Sequence, residues 1–255
     1  MPDYRCGVSE QKPYVPKNYD PTTFRDKPVS FVRRSGRMTS GQQRGWDDLS
    51  DFYLIDVPHG PAATSVAEGA TGDPAELFGR SAPLVIEVGS GQGHAIIHAA
   101  ASHPEKNFLA VEVFQAGLAR TMTAADEEGV RNLRLAEVNA PELLERYLPA
   151  GSADELWVFF PDPWAKVRHR KRRLIDEEFS HIAARVLRPG GLLRLATDWQ
   201  NYADQMREVL DAAPGFARDF TGEWAERFDG RVLTAFENKG TAKGRAIRDL
   251  TYRRV

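Results

Sequence analysis

From residue 83 onward, short apolar runs alternate with stretches of helical periodicity, and no other feature of the chain narrows its fold as much. Leu84–Val88 is a continuous apolar run ending in glycines, followed by a helical stretch over Gly93–Ala101. Phe108–Val113 and Leu133–Glu137 are further strands, with a helix over Ala116–Glu128 between them. Glu155–Phe160 is a fourth strand, and Leu192–Ala196 a fifth. Leu174–Leu187 reads as a helix that stops at the breaker Arg188-Pro-Gly-Gly191, and Tyr202–Ala212 as another. Apolar strands alternating with helices form right-handed β-α-β units, so the expectation is an α/β protein with a doubly wound, mostly parallel sheet. Val232–Glu237 and Leu250–Arg254 follow with little helix between them. They predict an antiparallel C-terminal hairpin at one edge of a sheet of seven strands.

Residues 1–71 have a different texture, rich in Pro, Gly and Asp and without sustained periodicity. They read as a partly flexible N-terminal extension, with Ala62–Thr71 as a connector and residues 72–255 as the main domain. No run approaches the ~18 consecutive apolar residues of a membrane span, and the first 25 residues lack the apolar centre of a secretory signal. Cys6 is the only cysteine, which rules out an intramolecular disulfide and a cysteine metal cluster. A cytoplasmic protein with no membrane partner and no obligate protein partner is expected.

The first strand runs into Glu87-Val-Gly89-Ser-Gly91-Gln-Gly93, directly before a helix. Glycines there let the backbone turn sharply and let a nucleoside approach closely. Such a loop is shared with nicotinamide and flavin proteins, but three details favour a sulfonium methyl donor. The spacing is G-x-G-x-G and not G-x-G-x-x-G. Glu87 sits inside the end of the strand, where a dinucleotide fold usually has an apolar residue. Glu112 ends the second strand, where its carboxylate can accept both ribose hydroxyls. Acidic residues suit a donor that carries a sulfonium and an ammonium. Asn139 follows the third strand, where an amide can bond an adenine edge.

Charge is segregated along the chain. Residues 23–45 carry +5, Lys166–Arg173 +6 and Lys239–Arg254 +5, so against a net charge of −2 the rest carries −18. Three basic segments of this kind suit a polyanion. The middle one continues the fourth strand through Phe160-Pro161-Asp162-Pro163-Trp164. At the carboxyl end of a parallel strand Asp162 borders the ligand crevice, the aromatics offer a face for a flat base, and the cations offer phosphate contacts.

These stretches resemble the tRNA (guanine-N7)-methyltransferases over about residues 28–255. The resemblance rests on Ser30-Phe-Val-Arg33-Arg-Ser-Gly-Arg37-Met-Thr39, Glu87-Val-Gly-Ser-Gly91, Val111-Glu-Val, Phe160-Pro-Asp-Pro-Trp-Ala-Lys166, Ala196-Thr-Asp198 and Thr234-Ala-Phe-Glu237. The Phe-Pro-Asp-Pro-Trp element followed by Lys and a basic run is the specific part. The resemblance implies a class I methyltransferase fold (Rossmann-like). It implies S-adenosylmethionine as donor, S-adenosylhomocysteine as product, and no metal. It further implies transfer to N7 of a guanine in tRNA, guanosine 46 of the variable loop. Donor contacts would come from Glu87, Gly89, Gly91, Glu112, Asn139 and Asp162. Contacts to tRNA would come from the basic segment at 23–45, from Lys166, Arg168, His169, Arg170, Lys171, Arg172 and Arg173, and from Asp198, Thr234, Ala235, Phe236 and Glu237. Many members have Asp where Asn139 stands and His where Ala165 stands.

N7 of guanine carries an in-plane lone pair at neutral pH, so no base has to remove a proton before attack. Attack leaves positive charge on the purine, and a carboxylate accepting from its ring edge would stabilise that charge. Asp162 is the first candidate for the catalytic role, with Asp198 or Glu237 as the guanine-edge acceptor if Asp162 instead orients the donor. A small-molecule methyltransferase would share the glycine loop but has no use for the basic segments. A non-catalytic RNA-binding protein would have no use for the donor pocket.

Overall fold

A computed structural model describes residues 30, 38–62, 64–232, 237 and 244–255. Seven strands form one sheet: β1 Leu84–Val88, β2 Asn107–Val111, β3 Leu133–Ala136, β4 Ala153–Phe159, β5 Leu187–Thr197, β6 Phe216–Arg218 and β7 Arg248–Arg254. Their order is β3-β2-β1-β4-β5-β7-β6. The first five run parallel, and β7 pairs antiparallel with both β5 and β6. The expected α/β class and mostly parallel seven-stranded sheet are therefore observed.

All five residues of β1 and all five of β2 are buried, which is why these strands read as apolar runs broken only by Glu87 and Asn107. Successive side chains point to opposite faces. Leu84, Ile86 and Val88 pack on one side against α6 (Glu177–Val186) and α7 (Gln200–Ala212). Val85 packs on the other, with α3 (His94–Ser102) and α4 (Gln115–Glu127). Glu87 shares the Val85 parity and is the one charged side chain within β1.

Three elements differ from the sequence expectation. Ser40–Tyr53 is a 14-residue helix, α1, inside the segment read as an extension. Thr39 and Gln42 form a reciprocal capping box at its start, and buried Tyr53 donates its hydroxyl to the Val130 carbonyl at 2.8 Å. The chain then joins the β3 edge through Ile55 N–H to Leu135 O. Ala62–Thr71 is likewise packed: Val66 is buried, and Thr64 and Val66 bond to the loop after β3. Finally, the outer partner of β7 is Phe216–Arg218 and not Val232–Glu237. Val232 lies outside any strand, Glu237 is helical, and residues 233–236 lie outside the described residues. The Arg188-Pro-Gly-Gly191 breaker does end α6, but the turn is absorbed as an irregularity where β5 begins to pair with β4.

Candidate functional site

The carboxyl ends of five adjacent parallel strands deliver the candidate residues in a row. Asn139 follows β3, Glu112 follows β2, Gly89–Gly93 follows β1, Asp162 follows β4 and Asp198 follows β5. The chain reverses its winding between β1 and β4, the place where open α/β sheets leave a ligand crevice.

The loop after β1 is shaped by backbone and not by side chains. Gly89 and Gly91 sit at φ 72° and 60°, and a Cβ on either would meet nothing within 4 Å. Both glycines are thus needed for their left-handed conformation, and both border open space. Glu112 fastens the loop: one carboxylate oxygen accepts from Gly91 N–H at 2.9 Å, the other from Val113 and Phe114 N–H at 2.7 and 3.1 Å. The carboxylate at the end of β2 thus holds the glycine wall of the crevice. We expect Glu112→Ala to weaken donor binding about 10- to 100-fold, the loss of roughly 1–3 kcal/mol of charge-assisted hydrogen bonding, with tRNA affinity nearly unchanged. An unchanged donor titration would remove Glu112 from the site.

Glu87 is 5% exposed, and its Oε2 is buried without a hydrogen-bond partner. Burial first, and the neighbouring Glu112 charge second, push its pKa up to about 8, while a backbone hydrogen bond from Ile96 acts the other way. A buried carboxylate oxygen with no partner is costly unless a ligand supplies one. A cationic donor fits this place, with a carboxylate to compensate it and glycine walls that leave room.

Asn139 is held by its backbone N–H to Thr64 O at 2.7 Å and its Nδ2 to Glu142 Oε1 at 2.9 Å. Glu142 also accepts from Val66 N–H at 2.9 Å. The amide is thereby oriented through its Nδ2. Neither Glu142 nor Thr64 was visible as a site residue in the sequence, because both act through contacts distant from any motif.

The turn after β4 is strained. Phe160 and Trp164 have φ 51° and 44°, a region costing non-glycine residues about 1–3 kcal/mol each, which is typical of functional turns. Between them Asp162 is exposed and makes no hydrogen bond among the described residues. Trp164 is neither core filling nor an open stacking platform. Its indole N–H donates to Ser30 O at 3.1 Å, Arg172 lies 4.9 Å over its ring and His169 meets it edge-on at 5.9 Å.

Val167–Arg172 forms a 3-10 helix with no buried residue. Lys166, Arg170 and Lys171 are exposed and have no acidic partner among the described residues, whereas Arg168 donates to His169 Nε2 at 3.2 Å. His169 is held below its ordinary pKa by desolvation and then by Arg168, Arg172 and Lys166. Arg173 departs from the sequence expectation. It is 3% exposed and spends its guanidinium on Pro163 O, Asn201 O and Oδ1, and Gln205 Oε1, stacked over Tyr202. With its donors turned inward, it anchors the turn to α7 and offers nothing to a phosphate.

Asp198 accepts from Arg245 at 2.8 Å through Oδ2, and no other described residue donates to its carboxylate. Glu237 is buried, with one oxygen on Arg227 and the other on Arg231, both at 2.7 Å. Of the two alternative guanine-edge acceptors, the geometry therefore favours Asp198. Thr234, Ala235 and Phe236 lie outside the described residues, as does the basic segment 23–45 except for Ser30 and residues 38–45. Among the described residues no cluster of His, Cys, Asp and Glu could hold a metal ion, and no helix is long and apolar enough to cross a membrane.

Residues 81–250 match a family model described as "Putative methyltransferase". A tRNA (guanine-N(7)-)-methyltransferase of Paenarthrobacter aurescens is 43% identical, covering 91% of this chain and 93% of that protein. One of Cutibacterium acnes is 44% identical over 89% of this chain and 83% of its own. One of Pseudomonas putida is 40% identical over 89% and 90%. Among solved structures, the 16S rRNA methyltransferase KamB superposes with a TM-score of 0.50 at 18% identity, covering 75% of this chain and 97% of that one, a likeness of fold.

Proposed function

The chain belongs to the tRNA (guanine-N(7)-)-methyltransferase family, and we propose that it transfers a methyl group from S-adenosylmethionine to N7 of guanosine 46 in tRNA. The observation that carries this reading is a single strand end. The turn after β4 presents an exposed carboxylate, Asp162, and continues at once into exposed cations at Lys166, Arg170 and Lys171, none of them in an ion pair among the described residues. It lies beside a glycine cradle where one oxygen of the buried Glu87 carboxylate lacks a partner. A donor pocket, a charge-stabilising group and a polyanion-binding edge thus adjoin one another.

When bound, S-adenosylmethionine supplies an electrophilic methyl carbon on a sulfonium sulfur. Glu87 would compensate the donor's positive charge, Glu112 would accept from its ribose, and Asn139 from its adenine. Lys166, Arg170 and Lys171 would hold phosphates and so aim the guanine. Most of the rate comes from placing N7 in line with the bond that breaks. Asp162 would accept from the purine edge as that ring becomes cationic, and its position on a strained, proline-flanked turn means little reorganisation is needed. Arg245, which donates to Asp198 Oδ2, would orient that second carboxylate.

Incubation with labelled S-adenosylmethionine and bulk unmodified tRNA tests the reading. Label recovered as 7-methylguanosine after nuclease digestion supports it; label in any other nucleoside, or none, overturns it. A further expectation concerns the basic helix. Replacing Arg170 and Lys171 by Gln removes two phosphate contacts, so the slope of log affinity for tRNA against log salt should fall by about two. An unchanged slope would mean that these side chains face only solvent.

A further inference from the structure

Behind the turn after β4 lies a buried ionic cluster that no step above uses. Arg231 is 2% exposed. Its Nε and Nη2 grip the Asp249 carboxylate on β7 at 2.9 and 2.8 Å, and its Nη1 reaches Glu237 at 2.7 Å. Arg227 holds the other oxygen of Glu237 at 2.7 Å and also donates through Nε to the Arg231 carbonyl at 2.8 Å. The guanidinium of Arg231 lies 5.9 Å from the Phe159 ring and 5.6 Å from that of Phe160. Two arginines and two carboxylates balance in charge, which is what allows so buried a cluster to persist.

The placement of this cluster says more than its stability. Residues 231 and 237 flank the Thr234-Ala-Phe segment in the chain, and the bond between them ties its two ends together. Asp249 fastens that tie to the rigid sheet, and Phe160 opens the strained turn that carries Asp162 two residues later. One side chain thereby links the sheet, the Glu237 end of the segment and the base of the catalytic turn.

We infer that Arg231 is a positioning residue for methyl transfer, holding Glu237 and the β4 end in the one relative arrangement that sets Asp162 against the guanine. The inference rests on the proposed function. Arg231 does not touch donor or substrate; it acts through Glu237 and Phe160. A lysine there keeps the charge but has a single ammonium in place of the planar fork, so it cannot grip Asp249 with two nitrogens while reaching Glu237 with a third.

Single-turnover methylation at saturating donor and tRNA tests this, because it reports a rate constant and an amplitude separately. For Arg231→Lys we expect the rate constant to fall at least 30-fold, with donor affinity within about threefold of the unaltered protein and the amplitude retained. Asp249→Asn, which loosens the same grip from the sheet side, should lower the rate constant too, and the double variant should lose less than the product of the two. A merely structural role would lower amplitude and melting temperature and leave the rate constant of the surviving molecules unchanged; that result overturns the inference. If Arg231→Lys does not fold, the rate constant of Asp249→Asn decides in the same way. The unaltered protein, run alongside, separates the two readings: its failure to methylate tRNA would count against the function, whereas its activity beside fully active variants would count against Arg231 alone.

Discussion

Replacing Asp162 by Asn should slow single-turnover methyl transfer about 100- to 1,000-fold while affinities for donor and tRNA stay within a few-fold. The substitution keeps the size and shape of the side chain and removes its charge. Asp162 is exposed and has no hydrogen bond among the described residues, so little of their folding stability depends on it. Its charge is free to act on whatever enters the crevice. A preorganised polar partner that strengthens only as charge develops is worth about 3–4 kcal/mol in the transition state. An interaction made only there lowers the rate without loosening the ground state. If Asp162 merely held the donor, saturating S-adenosylmethionine would restore the rate, and near-normal turnover under those conditions would leave it a binding residue.

The second large effect concerns pH. Burial and the neighbouring Glu112 raise Glu87 to about 8, so in the free protein near pH 6 it is almost entirely protonated. A cationic donor needs the carboxylate form. Donor affinity should therefore climb by up to tenfold per pH unit between pH 6 and 8 and level off above, with about one proton released on binding near pH 7. The sign for stability is opposite. The folded form holds a proton that the unfolded chain, with an ordinary glutamate near 4.5, has already lost. Glu87 thus makes the free protein progressively less stable as pH rises from about 5 to 8, and bound donor should reverse that trend. Calorimetric titrations in buffers of different ionisation enthalpy measure the proton directly. Glu87→Gln should flatten the pH dependence at the cost of affinity; a variant that kept the full slope would show that another group titrates.

What could be read in advance follows from the range of each interaction. Glu87, Glu112, Asn139, Asp162 and Asp198 were legible because each stands at the end of an apolar strand, and parallel strands bring such ends together. The run Lys166–Arg173 was legible because six cations with no acid among them cannot all be buried. Arg173, the last of that run, was not separable from it: only the distant partners Asn201 and Gln205 make it an inward anchor. The helix Ser40–Tyr53 carried a readable signal, the capping box Thr39-Ser-Gly-Gln42, but its many polar residues hid the apolar stripe. At the sheet edge the mostly apolar run Val232–Phe236 drew the strand expectation away from Phe216–Arg218, a three-residue strand too short to show any alternation. The cluster of Arg227, Arg231, Glu237 and Asp249 joins residues up to 22 positions apart, and charges spaced that way look like ordinary surface until the sheet assembles them.

The most direct measurement uses one tRNA transcript with guanosine 46 and a second with adenosine there. Each is incubated with the protein and S-adenosylmethionine, then treated with borohydride and aniline, which cut the chain at 7-methylguanosine. The expected result is a single cut at position 46 in the first transcript and none in the second. A cut elsewhere, or methyl incorporation with no cut at all, would contradict transfer to N7 at that site.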